Sequence, residues 1–173
     1  MLTYHPKTRA AIADITSGIR VETGQVAATV LLDHNPSAAV SLFSVTGAIM
    51  LLQLYLEVET VLSADAAVLQ FVYTSTTPVI AENSMCADCG SLSGAVAGQR
   101  IVWPGGAVLT AALLTDGAGL SDIIATTPAI IGLRSGVGAI KSLCGTATCT
   151  SGALRGYCHY VPMTSDGLVV AAV

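Results

Sequence analysis

From residue 40 onward the chain is cut repeatedly by turn signals: Gly47, Ser63-Ala64-Asp65, Pro104-Gly105-Gly106, Asp116-Gly117, Ser135-Gly136 and Asp166-Gly167. The apolar segments between them are short and β-rich, which suits strands, and no capped helix of four turns is found among them. The residues between the turns agree. In Gln53-Leu54-Tyr55-Leu56-Glu57-Val58-Glu59-Thr60 apolar and polar residues alternate, the period that turns one strand face to a core and the other to solvent. Strands are expected at Leu42–Thr46, within Ile49–Val61, and at Ala67–Thr74, Ser93–Trp103, Ala107–Leu114, Ile123–Leu133, Val137–Leu143, Ala153–Val161 and Leu168–Val173. The spacing predicts an all-β domain, a β-sandwich or jelly-roll-like fold, and not alternating β and α units.

The beginning of the chain has a different character. Lys7, Arg9 and Arg20 are three of the seven basic residues, and with Pro6 and scattered Thr and Ser they suggest an extended N-terminal arm. Asp14, Thr16 and Ser17 weaken the short helix that Ala10–Ile19 could form. Leu31-Leu32-Asp33-His34-Asn35-Pro36 has turn chemistry, because Asp and Asn bond their own backbone and Pro36 keeps Asn35 extended. The expected division is an arm over residues 1–36 and a β domain over 37–173.

Charge narrows the functional classes. Charged residues make up 10% of the chain, against roughly 25% in an average domain, and hydrophobic residues 53%. A disordered chain and a charge-rich coiled coil are excluded. A net charge of -4 leaves no basic stripe to neutralise phosphates, so no direct nucleic-acid partner is expected. The most apolar run, Ala48 to Leu56, is broken by Gln53 and stopped by Glu57 and Glu59, well short of the ~20 residues that span a bilayer, so no membrane partner is expected either. The first residues lack the apolar core of a secretory signal, which makes cytoplasmic synthesis the expectation. Aromatic residues are only 5%, so each apolar side chain buries modest area, and burial between subunits is expected to make up the difference.

Five cysteines are the obvious reactive set. Cys86-Ala87-Asp88-Cys89 and Cys144-Gly145-Thr146-Ala147-Thr148-Cys149 put four thiols in two close pairs, which fits tetrahedral zinc, one or two disulfides, or reduced thiols serving as small apolar residues. Cys158 adjoins His159, but neighbouring strand residues face opposite ways, so the two cannot form a nucleophile–base dyad. His5 and His34 have no partners at metal spacing. Gly90-Ser91-Leu92-Ser93-Gly94 misplaces the serine of a nucleophile elbow, and Gly136-Val137-Gly138 is an incomplete dinucleotide motif. Glu57 and Glu59 share a strand face, as glycosidase carboxylates do, yet paired exposed carboxylates on a rim are far commoner. The expectation is a protein that is not an enzyme, with no catalytic residues and no cofactor.

Two stretches carry a resemblance. Leu42-Phe43-Ser44-Val45-Thr46-Gly47 followed by the apolar strand Ile49–Val61, and the close from Gly152 through Tyr160-Val161-Pro162-Met163 and Asp166-Gly167 to Val173, resemble the two ends of small virion-associated proteins of tailed bacteriophages. Met163-Thr164-Ser165 stands where those proteins usually have an acidic turn, and the cysteines here are more numerous. The resemblance implies a virion structural protein on the capsid exterior, made in the host cytoplasm. As a cement or decoration subunit it would bind the major capsid protein noncovalently and associate with itself as a homotrimer. The alternative it implies is a structural or receptor-binding domain on a tail or head fibre. The sequence, with its single Trp, presents no evident aromatic platform for sugars.

Overall fold

A computed structural model describes residues 18–34, 39–105, 113–114 and 128–173. Among these the chain forms β1 (Ile19–Ala27), a single helical turn α1 (Ala28–Leu31), β2 (Val40–Thr46), β3 (Ile49–Thr60), β4 (Val68–Thr77), β5 (Val79–Ser84), β6 (Arg100–Val102), β7 (Leu113–Leu114), β8 (Ala129–Ile131), β9 (Val137–Gly145), β10 (Ala153–Pro162) and β11 (Leu168–Ala171). All pairings are antiparallel. One sheet has the order β1-β10-β3-β6-β7, with β8 also on β3; the other has the order β11-β2-β9-β4-β5. The fold is an all-β sandwich.

Alternation builds the core. On β3, Leu54, Leu56 and Val58 are fully buried while Tyr55, Glu57 and Glu59 face out, as the period-2 pattern requires. Leu154, Cys158 and Tyr160 of β10 join them from the same sheet, and Phe43, Phe71, Leu69 and Ile140 meet them from the other. Gly156 lets the sheets approach: a Cβ there would lie 3.4 Å from the Phe43 ring and 3.1 Å from Thr23.

Two expectations are corrected. The arm does not run to residue 36, because Ile19–Ala27 is the edge strand β1, paired with β10, and α1 packs Ala28 and Leu31 into the core. An edge strand with only Thr23 buried has no run of buried apolar residues to mark it, which is why it passed for an arm. Its register slips between Glu22 and Gln25, and there the Thr23 hydroxyl accepts the Gly156 N–H at 2.8 Å, replacing a ladder bond. The second correction concerns Ser93–Trp103, where only Arg100–Val102 is strand; Gly94 and Gly98 take φ of 67° and 89° and turn the chain before it. Residues 1–17, most of Ala107–Leu114 and the first part of Ile123–Leu133 lie outside the described residues, as does all but the end of the Ala10–Ile19 stretch.

Candidate functional site

The two sheets present contrasting outer faces. Strands β11, β2, β9 and β4 contain one charged residue between them, Lys141. Across them runs the cross-strand row Val170, Ser44, Ala139, Thr74, all small or aliphatic. The outer face of the β1-β10-β3-β6 sheet instead gathers Arg20, Glu22, Arg155, Glu57, Glu59 and Arg100.

This charged face is organised around two tyrosines. Tyr157 of β10 sits directly opposite Tyr55 of β3, and their rings stack with centroids 4.7 Å apart and planes 25° apart. Arg20 covers the other side of Tyr157 at 4.5 Å, and Arg100 lies over Tyr55 at 5.2 Å. The four side chains form one ladder across four strands. Burial raises the Tyr55 phenol above its ordinary value, against the pull of the two guanidinium groups.

The carboxylates are held in ion pairs. Arg100 Nε donates to Glu57 at 3.0 Å, and Arg155 Nε donates to Glu59. Each partner is about one-third exposed or less, so Glu57 and Glu59, which the sequence placed on one face, stabilise a surface ladder. Arg20 is bound less tightly, with Glu22 at 3.9 Å and its side chain 60% exposed. Next to the tyrosine pair, the row Arg20, His159, Gln53 crosses β1, β10 and β3. Between the two rows lies a recess of about 200 Å³, lined by Arg20, Gln53, Tyr55, Tyr157, Cys158 and His159. Gly18 gives the His159 ring its place: a Cβ there would stand 2.5 Å from Nε2.

All five cysteines are buried and none is in a disulfide. Backbone groups engage four of them. Cys89 Sγ accepts the Leu69 N–H at 3.1 Å and Cys86 Sγ the Phe71 N–H at 3.4 Å, while the Cys144 thiol donates to Ala147 O and the Cys149 thiol to Ser151 O, each at 3.2 Å. Among the described residues no group of three or more His, Cys, Asp or Glu is arranged to hold a metal ion. Asp33 and His34 tie their turn to the Cys144–Cys149 loop: the Thr148 hydroxyl donates to Asp33 at 3.0 Å and accepts the His34 N–H at 2.9 Å. Cys158 and His159 point to opposite faces of β10, the thiol fully buried and the imidazole at the recess.

Burial sets the chemistry of these thiols. It pushes Cys158 up to about 12, and Cys89 and Cys144 up to about 11. Unfolded thiols ionise from ~8.5, so above that pH the native state holds more protons than the unfolded one and stability falls as pH rises. The urea midpoint should therefore drop progressively between pH 8 and 10. At pH 8 a thiol-exchange reagent should leave the native cysteines unmodified and modify all five in denaturant. Rapid reaction of the folded protein would contradict the packing.

A second recess, of about 300 Å³, opens beside β5, where Pro78, Ile80, Met85, Ile130 and Leu133 contribute apolar walls. Sequence reasoning missed both the recesses and the ladder. The signal available for the ladder was the outward phase of Tyr55 and Tyr157 on their strands; what pairs them is the register of β3 with β10. Comparison with protein-family models, curated proteins and solved structures returns no match for this chain.

Proposed function

We propose that the chain is a structural subunit of a tailed-phage particle, a decoration protein on the capsid exterior. In this reading it binds the major capsid protein noncovalently and assembles with copies of itself as a homotrimer. The observation that carries the reading is the contrast between the two sheet faces. A sheet surface of Ser44, Ala139, Thr74 and Val170, with Leu168 and Val170 each about half exposed, can lie flat against another protein with Lys141 as the one charge on these four strands to accommodate. The opposite face, with three guanidinium groups and three carboxylates, suits solvent. Strand order adds support. The strand orders β1-β10-β3-β6 and β2-β9-β4-β5 within the two sheets support a jelly-roll reading of the sandwich, a scaffold used by viral capsid and lectin domains. That is a likeness of fold, and function is argued from the faces.

Quantitative mass spectrometry of purified particles tests the reading. A copy number comparable to that of the major capsid protein is expected, and Ala139→Glu should release the subunit from particles while Glu57→Gln leaves it bound. Absence from particles would sink the proposal. A few copies per particle would favour the second reading, a fibre-associated binding domain, for which the recess beside the tyrosine ladder is the supporting feature.

A further inference from the structure

We propose that the recess on the charged face is a binding site for a carboxylated sugar, with Arg20 taking the carboxylate and Gln53, His159 and the two tyrosine hydroxyls taking the ring hydroxyls. The site goes beyond a role in the shell and lies on the sheet face opposite the one assigned to docking.

Four observations converge on this ligand class. The first is the guanidinium inventory of the face. Arg100 and Arg155 are each held close to a carboxylate through Nε, whereas Arg20 meets Glu22 only at 3.9 Å, with its side chain 60% exposed. An exposed ion pair that long contributes little, so the planar fork of Arg20 remains able to take a carboxylate by two parallel hydrogen bonds. The second is rigidity. Arg20 lies over the Tyr157 ring at 4.5 Å and Tyr157 is stacked on Tyr55, contacts that reduce the side-chain freedom left to lose on binding. Thirdly, the polar groups around Arg20 are of mixed type. An amide, an imidazole and two phenols supply both donors and acceptors, which hydroxyl-rich ligands need and a bare inorganic anion does not. The fourth is shape. The recess of about 200 Å³ is short and open, bounded by the row Arg20, His159, Gln53 and the row Tyr157, Tyr55. A peptide strand would need the backbone of a free sheet edge or a long groove, whereas this short recess lies on the outer face over β1, β10 and β3.

The tyrosine faces are already covered by each other and by the two arginines. A sugar therefore meets the ring edges and hydroxyls, and specificity comes from the carboxylate and not from stacking. A β-bulge helps to shape the site. The β10–β3 register shifts after His159, where Tyr160 pairs with Leu51 while His159 pairs with Gln53. Leu52 is the extra residue, and the shift changes the aim of Gln53 relative to a regular ladder.

The test is a titration of the isolated full-length protein, followed by calorimetry and by amide chemical shifts of β1, β3 and β10. The probes are sialyllactose and a galacturonate oligomer, each set against its neutral counterpart, lactose and a galactose oligomer, with a hexa-glutamate peptide as the competing anion. At least one carboxylated sugar should bind about ten-fold tighter than its neutral counterpart, the discrimination expected of one charge-assisted bidentate contact. Arg20→Ala should remove that preference, and Arg20→Lys should restore only part of it. Glu22→Gln, which takes away the competing carboxylate, should tighten binding. Arg20 is exposed, so circular dichroism of these variants should match the parent and tie any loss to the site. Equal affinity for neutral and carboxylated sugars, unchanged affinity in Arg20→Ala, stronger binding of the peptide, or no shift at any probe concentration would each overturn the proposal. Particle copy number is measured separately, so failure here is distinguishable from failure of the decoration reading.

Discussion

Replacing Gly47 by alanine should lower the unfolding free energy by about 3 kcal/mol, combining the cost of a left-handed backbone with that of overpacking. Gly47 joins β2 to β3 at a φ of 68°. A Cβ there would lie 2.7 Å from both Asp166 Oδ1 and Thr164 Oγ1, and 2.8 Å from the Asp166 carbonyl carbon. None of these is the loose end of a flexible chain, since Thr164 Oγ1 accepts the Ala48 N–H at 2.9 Å and the Asp166 carboxylate is anchored through its other oxygen, Oδ2, which accepts the Ser135 N–H at 2.7 Å. Three turns meet at this corner. The Gly47 N–H donates to Gly136 O at 2.9 Å, and Gly132, at a φ of 78°, packs so tightly on Gly47 that a Cβ would stand 2.2 Å from its carbonyl oxygen. The turns β2–β3, β8–β9 and β10–β11 are therefore closed by one another. Trp103 is the single tryptophan and is buried, so its emission reports urea unfolding directly. Gly90→Ala and Gly24→Ala, where a Cβ meets nothing within 4 Å, should change stability by no more than ~0.5 kcal/mol. Equal effects at Gly47 and Gly90 would show that the corner is not a locked contact.

The same corner shows what the sequence could and could not reveal. Gly47, Ser135-Gly136 and Asp166-Gly167 were legible one at a time as turns, because turn chemistry is local. Their meeting in space was not, since it depends on strands that bring distant segments together. The long strands β3, β9 and β10 were legible for a related reason: each has a buried and an exposed face, so its alternation is clean. Strands β1 and β5 escaped because they are edges. Most of β1 is exposed, and β5 has an exposed residue at every position but its last, so neither carries a buried set to produce a pattern. Alternation placed Tyr55 and Tyr157 on outward faces, but a ladder also needs register. Register here is set by slips between Glu22 and Gln25 and between His159 and Tyr160, and no local pattern announces them. The paired cysteines illustrate the reverse hazard. Close spacing left zinc, disulfides and reduced thiols all open, and the fold gives the four sulfurs backbone partners in or beside the core.

Trp103→Ala should cost about 3–5 kcal/mol, a large share of the roughly 5–15 kcal/mol that keeps an ordinary domain folded. Trp103 follows β6 and is 2% exposed, the largest of the fully buried side chains. Its backbone N–H donates to Leu54 O at 2.9 Å, which holds it to β3, and its indole Nε1–H donates to Met85 O at 3.0 Å. One residue thus fastens the end of β5 to the β3–β6 edge and links the two sheets. Alanine would leave both a cavity and a Met85 carbonyl without its donor. Trp103→Phe separates the two terms: most of the ring volume stays, and the missing hydrogen bond should cost about 1–3 kcal/mol. With the tryptophan gone, far-UV circular dichroism during thermal unfolding supplies the readout, and the melting temperature should fall in the order parent, Phe variant, Ala variant. Met85 also walls the recess beside β5, so both variants should loosen that end of the sandwich before the rest unfolds, seen as faster amide exchange at Ile80–Ser84 than at β9. Equal melting temperatures for the Phe variant and the parent would mean that the indole hydrogen bond carries no net stability; uniform loss of protection across both sheets would mean that Trp103 supports the whole core and not this corner.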